Sequence, residues 1–195
     1  MNIANKLTLA RIALTVFFMV FLFSKGLTFK VLALVAFAAA TWTDFLDGYF
    51  AKKRNEISDF GKFMDPIADK VLVISAFLAF VEMKLIPAWI VVVIVLREFI
   101  ITGLRLIALA RGEVIEAEMA GKHKTVSQMV SVYVILFFII FRQASLTVFG
   151  FWNEGLEYLL RAIIFYMMLI TALFTLVSGI SYLVKNKRFF INAKN

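Results

Sequence analysis

Long runs of apolar residues, separated by short polar connections, follow one another along the whole chain. None of these runs alternates polar and apolar residues with a period of two, so helices are favoured over the strands of a barrel. A hydrocarbon core about 30 Å thick is spanned by about 20 helical residues, which is close to the length of most runs. The pattern predicts six membrane-spanning helices, at residues 9–23, 29–51, 64–81, 87–110, 126–141 and 156–184.

These runs predict one all-α membrane domain over residues 1–195, a six-helix bundle with a short N-terminal juxtamembrane segment. The uninterrupted core of the first run, residues 12–23, is short and follows Lys6 and Arg11, as the apolar core of a secretory signal would. No pair of small residues at the spacing of a cleavage site precedes Lys25, so we expect this helix to be retained.

Composition and charge agree with a membrane protein. Apolar residues make up 63% of the 195 and charged residues only 17%, which is outside the usual balance of a soluble domain. The net charge of +8 would also suit a nucleic-acid-binding protein, but the lysines and arginines fall mostly into alternate connections. By the positive-inside rule, we expect both termini and the second and fourth connections to be cytoplasmic. Cysteine is absent, which excludes disulfide and thiolate chemistry.

Four aspartates lie where the second and third apolar runs approach each other. Asp44 and Asp47 are three residues apart, and Asp65 and Asp69 are four apart, so each pair shares one face of its helix. One ionised carboxylate at the centre of a membrane helix costs about 2.5–3.5 kcal/mol. At about 1.5 Å per residue, Asp44 and Asp69 both lie about 12 Å below the connection. If the two helices are neighbours, the four carboxylates form a compact group that opens toward the cytoplasm.

Such a group of carboxylates requires cations, because unpaired carboxylates at that separation repel one another. Hard divalent ions with oxygen ligands, Mg²⁺ or Mn²⁺, suit the site, and four carboxylates can hold two of them. A two-metal centre can bind a diphosphate and stabilise a phosphoryl transfer. Gly48 and Gly61 leave bare backbone beside the carboxylates, which suits either close approach of a ligand or tight helix packing.

These spaced residues resemble the signature of the CDP-alcohol phosphatidyltransferase family, D-x-x-D-G-x-x-A-R, eight residues, then G-x-x-x-D-x-x-x-D. The matching positions are Asp44, Asp47, Gly48, Ala51, Lys52, Gly61, Asp65 and Asp69. Every spacing agrees, and one residue departs, because Lys52 stands where the family usually has arginine. A lysine can meet a phosphate as a point charge but lacks the bidentate fork of arginine.

The resemblance implies a role for each position. Asp44, Asp47 and Asp65 would be the principal metal ligands, and Asp69 would assist them and act as general base toward the acceptor hydroxyl. The segment from Asp44 to Asp65 would receive the cytidine and diphosphate of the donor. The donor contacts implied there are Asp44, Gly48, Ala51, Lys52 and Gly61. The resemblance also implies a homodimer.

The rest of the chain is similar to the bacterial phosphatidylglycerophosphate synthase branch of that family. The similar strings lie at residues 59–70, 97–105 and 121–128, and Asn5, Thr8 and Arg11 resemble the branch's nucleotide-contacting segment. The branch implies a bacterial cytoplasmic membrane, CDP-diacylglycerol as donor and glycerol 3-phosphate as acceptor.

A dianionic acceptor beside carboxylates requires cations of its own. Four basic residues near the cytoplasmic end of the fourth helix and the start of the fifth could bind its phosphate, Arg105, Arg111, Lys122 and Lys124. The alternative is that they extend to lipid headgroups. Arg97 and Glu98, deeper in the fourth helix, are expected to pair with other helices, and His123 is expected to lie solvated in a loop.

Two other functions stay open at this point. A sister enzyme could use serine, an inositol phosphate or phosphatidylglycerol as acceptor, although several basic residues favour a phosphorylated one. A divalent-cation transporter could use the acidic group for permeation. Transporters, however, usually place such sites near the midplane between repeated halves. Here the aspartates lie toward one face, and the last three helices contain no matching acidic pair.

Overall fold

The computed structural model describes the backbone of residues 3–54, 59–110 and 119–186, and the side chains of residues 8–43, 70–108 and 124–186. Regular structure in these ranges is entirely helical, which confirms the all-α prediction. The six α-helices are α1 (Ile3–Phe23), α2 (Leu27–Arg54), α3 (Asp59–Glu82), α4 (Ala88–Ala110), α5 (Met119–Ala144) and α6 (Glu154–Lys185), and a π-helical turn at Ser145–Phe149 extends α5.

Residues suited to tight turns end these helices. Gly26 lies between α1 and α2 with φ 107°, a conformation that only glycine adopts without strain. Gly150 adopts the left-handed conformation after the π-helical turn, and its N–H donates to the Ser145 carbonyl at 2.8 Å. Asn153 caps α6 by accepting from the Leu156 N–H at 2.8 Å.

The helices pack as an antiparallel bundle around one apolar core. α1 packs mainly on α2 and α3, α5 on α2 and α6, and α4 on α6 and α3. α2 and α3, which carry the four aspartates, also contact each other. The largest fully buried apolar side chains are Phe18, Phe37, Phe77, Phe80, Leu22, Leu72, Ile90, Ile94, Ile135, Leu136 and Ile164.

The outward faces of the helices carry large apolar side chains. Phe17, Phe99, Phe137 and Phe174 are each more than half exposed, which is the pattern of a bundle surrounded by lipid rather than by water. Two stretches, Lys124–Phe149 and Glu154–Lys185, are long and apolar enough to cross a bilayer, and Thr8–Phe23 and Leu27–Thr43 are shorter apolar helices. These assignments cover the described residues alone.

The start of α5 differs from the sequence-based prediction. The apolar run begins at Val126, but the helix begins at Met119, so Lys122 and Lys124 lie within its first two turns. His123 is therefore helical, and its assignment to a loop was wrong. The reason is that Gly121 and the polar residues 122–125 interrupt the apolar pattern and were counted as a connection, although most of these residue types are compatible with a helix.

Candidate active site

The four aspartates lie on two helices that touch. Asp44 and Asp47 belong to the last turns of α2, and Asp65 and Asp69 to the first turns of α3. Their side chains lie outside the described residues, as do those of Asn5, Gly48, Ala51, Lys52 and Gly61. α2 and α3 contact each other, and the grouping of the four carboxylates stays a prediction.

The metal ligands predicted from the sequence are among these undescribed side chains. Within the side chains that the structure does describe, no group of three or more acidic, histidine or cysteine residues could hold a metal ion. The chemistry of the predicted donor set still fits a hard divalent cation, because all four groups are carboxylates on adjoining helix ends.

A buried polar cluster links α4 to α5 beside the α3 segment. Glu98 is 8% exposed, and its Oε1 accepts from the Lys124 ammonium, which is itself 7% exposed. The same oxygen accepts from Gln128 Nε2 at 3.4 Å and from Arg97 Nη1 at 3.5 Å. Three donors therefore converge on one carboxylate oxygen inside the bundle.

This cluster lines a cavity of about 100 Å³ between α3, α4 and α5. Its polar wall is formed by Lys70, Glu98, Lys124, Thr125 and Gln128, and its apolar wall is formed by Val73, Ile74, Phe77, Ile94 and Met129. Lys70 directly follows Asp69, so the cavity adjoins the part of α3 that carries the aspartates. Of the described side chains that line it, Glu98 is the one carboxylate and two are lysines.

Arg97 extends in the opposite direction, onto α6. Its Nη2 donates to Ser178 Oγ at 2.9 Å. Its aliphatic stem lies against Gly179, where an added Cβ would come within 2.9 Å of Arg97 Cγ. The prediction that Arg97 and Glu98 each pair with another helix is confirmed, with α6 and α5 respectively. Arg97 Nη1 and Glu98 Oε1 are also 3.5 Å apart, although side chains at adjacent positions of a helix do not normally face each other.

Buried hydroxyl groups continue this network along the α5–α6 contact. Ser131 Oγ and Thr171 Oγ1 are 2.9 Å apart, and Gln128 Nε2 lies 3.5 Å from Thr175 Oγ1. Sequence reasoning did not select these residues as functional. A signal exists, because polar residues recur at positions 124, 128 and 131 of α5 and at 171, 175 and 178 of α6, the spacing of one helical face.

The other predicted acceptor contacts lie in different surroundings. Arg105 is exposed, and its guanidinium carbon lies 6.0 Å from the centre of the Tyr182 ring on α6. Arg111 and the side chain of Lys122 lie outside the described residues. Of the two whose side chains are described, Lys124 lies at the cavity wall and Arg105 does not line it.

Two of the predicted nucleotide contacts are buried on α1. Thr8 and Arg11 are each 2% exposed, although both are polar. They share a helical stripe with Thr15, Phe18 and Leu22, which are also buried, and α1 packs on the two aspartate-bearing helices. An arginine on the packed face of a membrane helix requires partners in the bundle.

A family model described as CDP-alcohol phosphatidyltransferase matches residues 1–177. The chain belongs to this family. The match covers α1 through most of α6 and includes all eight positions of the spaced signature, so the resemblance drawn from those positions is confirmed.

Several curated members of this family resemble the chain over most of its length. A CDP-diacylglycerol–glycerol-3-phosphate 3-phosphatidyltransferase of Bacillus subtilis (strain 168) is 39% identical over 197 residues, which cover 95% of each chain. A protein of the same name from Rickettsia felis is 34% identical and covers 97% of each chain. A probable phosphatidylglycerophosphate synthase of Mycobacterium tuberculosis (strain H37Rv) is 40% identical over 134 residues, which cover 67% of this chain and 64% of that protein.

Family membership and the apolar helices together define the class of protein. The chain is a transferase of the CDP-alcohol phosphatidyltransferase family and a membrane protein. Its described polar cluster adjoins the segment that carries the family's signature. The cavity and the aspartate-bearing part of α3 are therefore neighbours in the bundle.

Proposed function

We propose that this protein transfers the phosphatidyl group of CDP-diacylglycerol to glycerol 3-phosphate, with phosphatidylglycerophosphate and CMP as products. The observation that carries the proposal is similarity along the chain to relatives named for this reaction, 39% identical over 95% of the chain in one case. The spaced aspartates on α2 and α3 supply the chemistry that the reaction requires.

In the proposed reaction, Asp69 takes the proton from the primary hydroxyl of glycerol 3-phosphate. The hydroxyl oxygen forms a bond to the lipid-side phosphorus of the donor, the anhydride bond to CMP breaks, and CMP leaves with the bridging oxygen. Asp44, Asp47 and Asp65, assisted by Asp69, would hold two divalent cations, Mg²⁺ or Mn²⁺. Bound there, such cations would screen the charge of the diphosphate and of the leaving group.

Basic residues are proposed to bind the two phosphorylated substrates. Lys124, at the wall of the cavity beside α3, would contact the phosphate of the acceptor, together with Arg105, Arg111 and Lys122. Lys124 is buried, which favours a contact inside the bundle over the alternative that its ammonium extends to lipid headgroups. Donor contacts are proposed for Asn5, Thr8, Arg11, Gly48, Ala51, Lys52 and Gly61.

The proposed arrangement in the membrane has six spans, with both termini and the aspartates on the cytoplasmic side of a bacterial cell membrane. α4 is strongly apolar, but Arg97, Glu98 and Arg105 interrupt it, so it is not among the two uninterrupted stretches. Arg97 and Glu98 lie near the middle of α4 and Arg105 lies nearer its C-terminal end, and the pairing of Arg97 and Glu98 with other helices lowers their cost. A homodimer is part of the same proposal.

The experiment that tests this function is release of CMP from CDP-diacylglycerol by purified protein with Mg²⁺ or Mn²⁺. Glycerol 3-phosphate, serine, inositol phosphate and phosphatidylglycerol are compared as acceptors. We expect turnover with glycerol 3-phosphate alone and a loss of about 10²-fold or more in Asp69→Asn, because that variant lacks the base. Glu154→Gln, which removes an exposed carboxylate at the start of α6, should retain activity.

Each other outcome has a definite meaning. Turnover with another acceptor would keep the phosphatidyl transfer and overturn the choice of glycerol 3-phosphate. Absence of turnover with every acceptor, in folded protein supplied with metal, would favour a divalent-cation transporter. Full activity of Asp69→Asn would remove that residue from the proposed mechanism.

A further inference from the structure

Glu98 has no part in the reaction as proposed so far, yet it is the centre of the described polar cluster. Its Oε1 accepts from three side chains, of which Lys124 and Gln128 belong to α5. Glu98, Lys124 and Gln128 are 8%, 7% and 5% exposed, so all three residues are buried in the bundle.

Stability alone is a weak reason for such a pair. Removing two charges from their surroundings costs about as much as their attraction returns, so a buried ion pair is often no better than two apolar residues. The apolar packing between α4 and the rest of the bundle is already provided by Ile90, Ile94 and Ile101, which are buried. A pair kept at this position therefore indicates a function for one of its charges.

The position of the pair indicates which function. Lys124 and Glu98 line the same cavity as Lys70, the residue after Asp69, and Val73, one turn beyond Asp69 on α3. An ammonium group has three N–H donors, and the bond to Glu98 engages one of them. Lys124 can therefore remain bound to Glu98 and still donate to an anion in the cavity.

We propose that Glu98 is a positioning residue that holds the Lys124 ammonium at the cavity wall, where the phosphate of the acceptor meets it. Glu98 carries the same sign of charge as that phosphate and acts through Lys124 rather than by contact. Gln128 fixes the carboxylate from a second direction and lies 3.5 Å from Thr175 of α6. This inference rests on the proposed function, because it assigns the site of the acceptor phosphate.

A double-mutant cycle tests the proposal. Glu98→Gln, Lys124→Gln and the double variant are assayed for kcat and for KM toward glycerol 3-phosphate and CDP-diacylglycerol. We expect each single change to raise the KM for glycerol 3-phosphate about tenfold, the scale of one lost charged hydrogen bond. The kcat and the KM for CDP-diacylglycerol should change much less. The double variant should be no worse than Lys124→Gln, since Glu98 acts only through that lysine.

A merely structural role gives a different result. Additive losses in the double variant, or a fall in kcat with equal changes toward both substrates, would overturn the proposal. Glu154→Gln is the matched control for loss of a carboxylate and should leave every constant unchanged. If Glu98→Gln does not give folded protein in detergent, Glu98→Asp replaces it in the cycle, and the same two outcomes decide.

Failure of this inference is distinguishable from failure of the proposed function. Wild-type protein that does not use glycerol 3-phosphate would overturn the function itself. Wild-type protein that uses glycerol 3-phosphate, with an additive cycle, would overturn only the role of Glu98.

Discussion

At the scale of single residues, polar and charged groups inside the bundle determine how neighbouring helices meet. Arg97 shows this for α4 and α6, because its stem lies against bare backbone at Gly179 while its guanidinium bonds Ser178. A side chain at position 179 would occupy the space of the arginine stem. The stem cannot move freely, because the guanidinium bonds both Ser178 on α6 and Glu98 on α4, and these two helices pack together.

Gly179→Ala is therefore expected to destabilise the protein. The new Cβ would lie 2.9 Å from Arg97 Cγ and 3.3 Å from its Nε. Relief requires a shift of α6 or of the arginine, at a cost of about 1–3 kcal/mol for such overpacking. Thermal unfolding of the purified protein in detergent should show a lower midpoint than wild type.

Gly103→Ala is the matched control on α4. A Cβ at position 103 meets nothing within 4 Å, and alanine favours a helix by about 0.5–1 kcal/mol over glycine. Its midpoint should equal or exceed that of wild type. An equal fall in both variants would contradict the close contact between Arg97 and Gly179.

The sequence predicts part of this residue-level structure and not the rest. That Arg97 and Glu98 pair with other helices follows from the cost of a lone charge in an apolar bundle. The identity of the partners, Ser178 and Lys124, depends on the rotation of α4 relative to α5 and α6, which a local pattern does not contain. The four aspartates were found because their spacing is a property of the sequence itself.

At the scale of helices, the turn residues and apolar runs predict where most helices end. Gly26, Pro87 and Gly150 mark three of the connections, and the predicted ends of α1, α3 and α4 agree with the structure to within a few residues. The starts agree less well, because α1, α3 and α5 begin six, five and seven residues before the predicted runs, with polar residues in their first turns. At α5, Lys124 in the second turn has a partner on α4, and this contact stabilises the polar start of the helix.

Side-chain hydrogen bonds join several connections at the end of the bundle where α4 and α6 begin. Arg161 on α6 donates to the Lys84 carbonyl in the α3–α4 turn at 2.9 Å. Glu157, one turn earlier, accepts from Trp152 Nε1 at 3.0 Å and from Arg142 of α5 at 3.3 Å. These bonds place the α3–α4 and α5–α6 connections at the same end, as an up-and-down bundle requires. The polar cluster around Glu98 lies toward the opposite end.

At the scale of the whole molecule, the proposed orientation can be measured directly because the chain contains no cysteine. Single cysteines are introduced as Lys25→Cys, in the exposed α1–α2 turn, and as Asn195→Cys, at the C-terminus. A membrane-impermeant maleimide applied to intact spheroplasts should label position 25 and not position 195, since the termini are proposed to be cytoplasmic. Inverted vesicles should give the opposite result. Labelling of position 195 in intact spheroplasts would contradict the proposed orientation.

The central claim is that the hydroxyl oxygen of the acceptor forms the new bond to the lipid-side phosphorus. The most direct measurement uses glycerol 3-phosphate with ¹⁸O in its primary hydroxyl, followed by mass spectrometry of the lipid product and of CMP. We predict one ¹⁸O in each molecule of phosphatidylglycerophosphate and none in CMP, with the two products in equal amounts. Phosphatidic acid as the lipid product, or ¹⁸O in CMP, would contradict the proposed transfer.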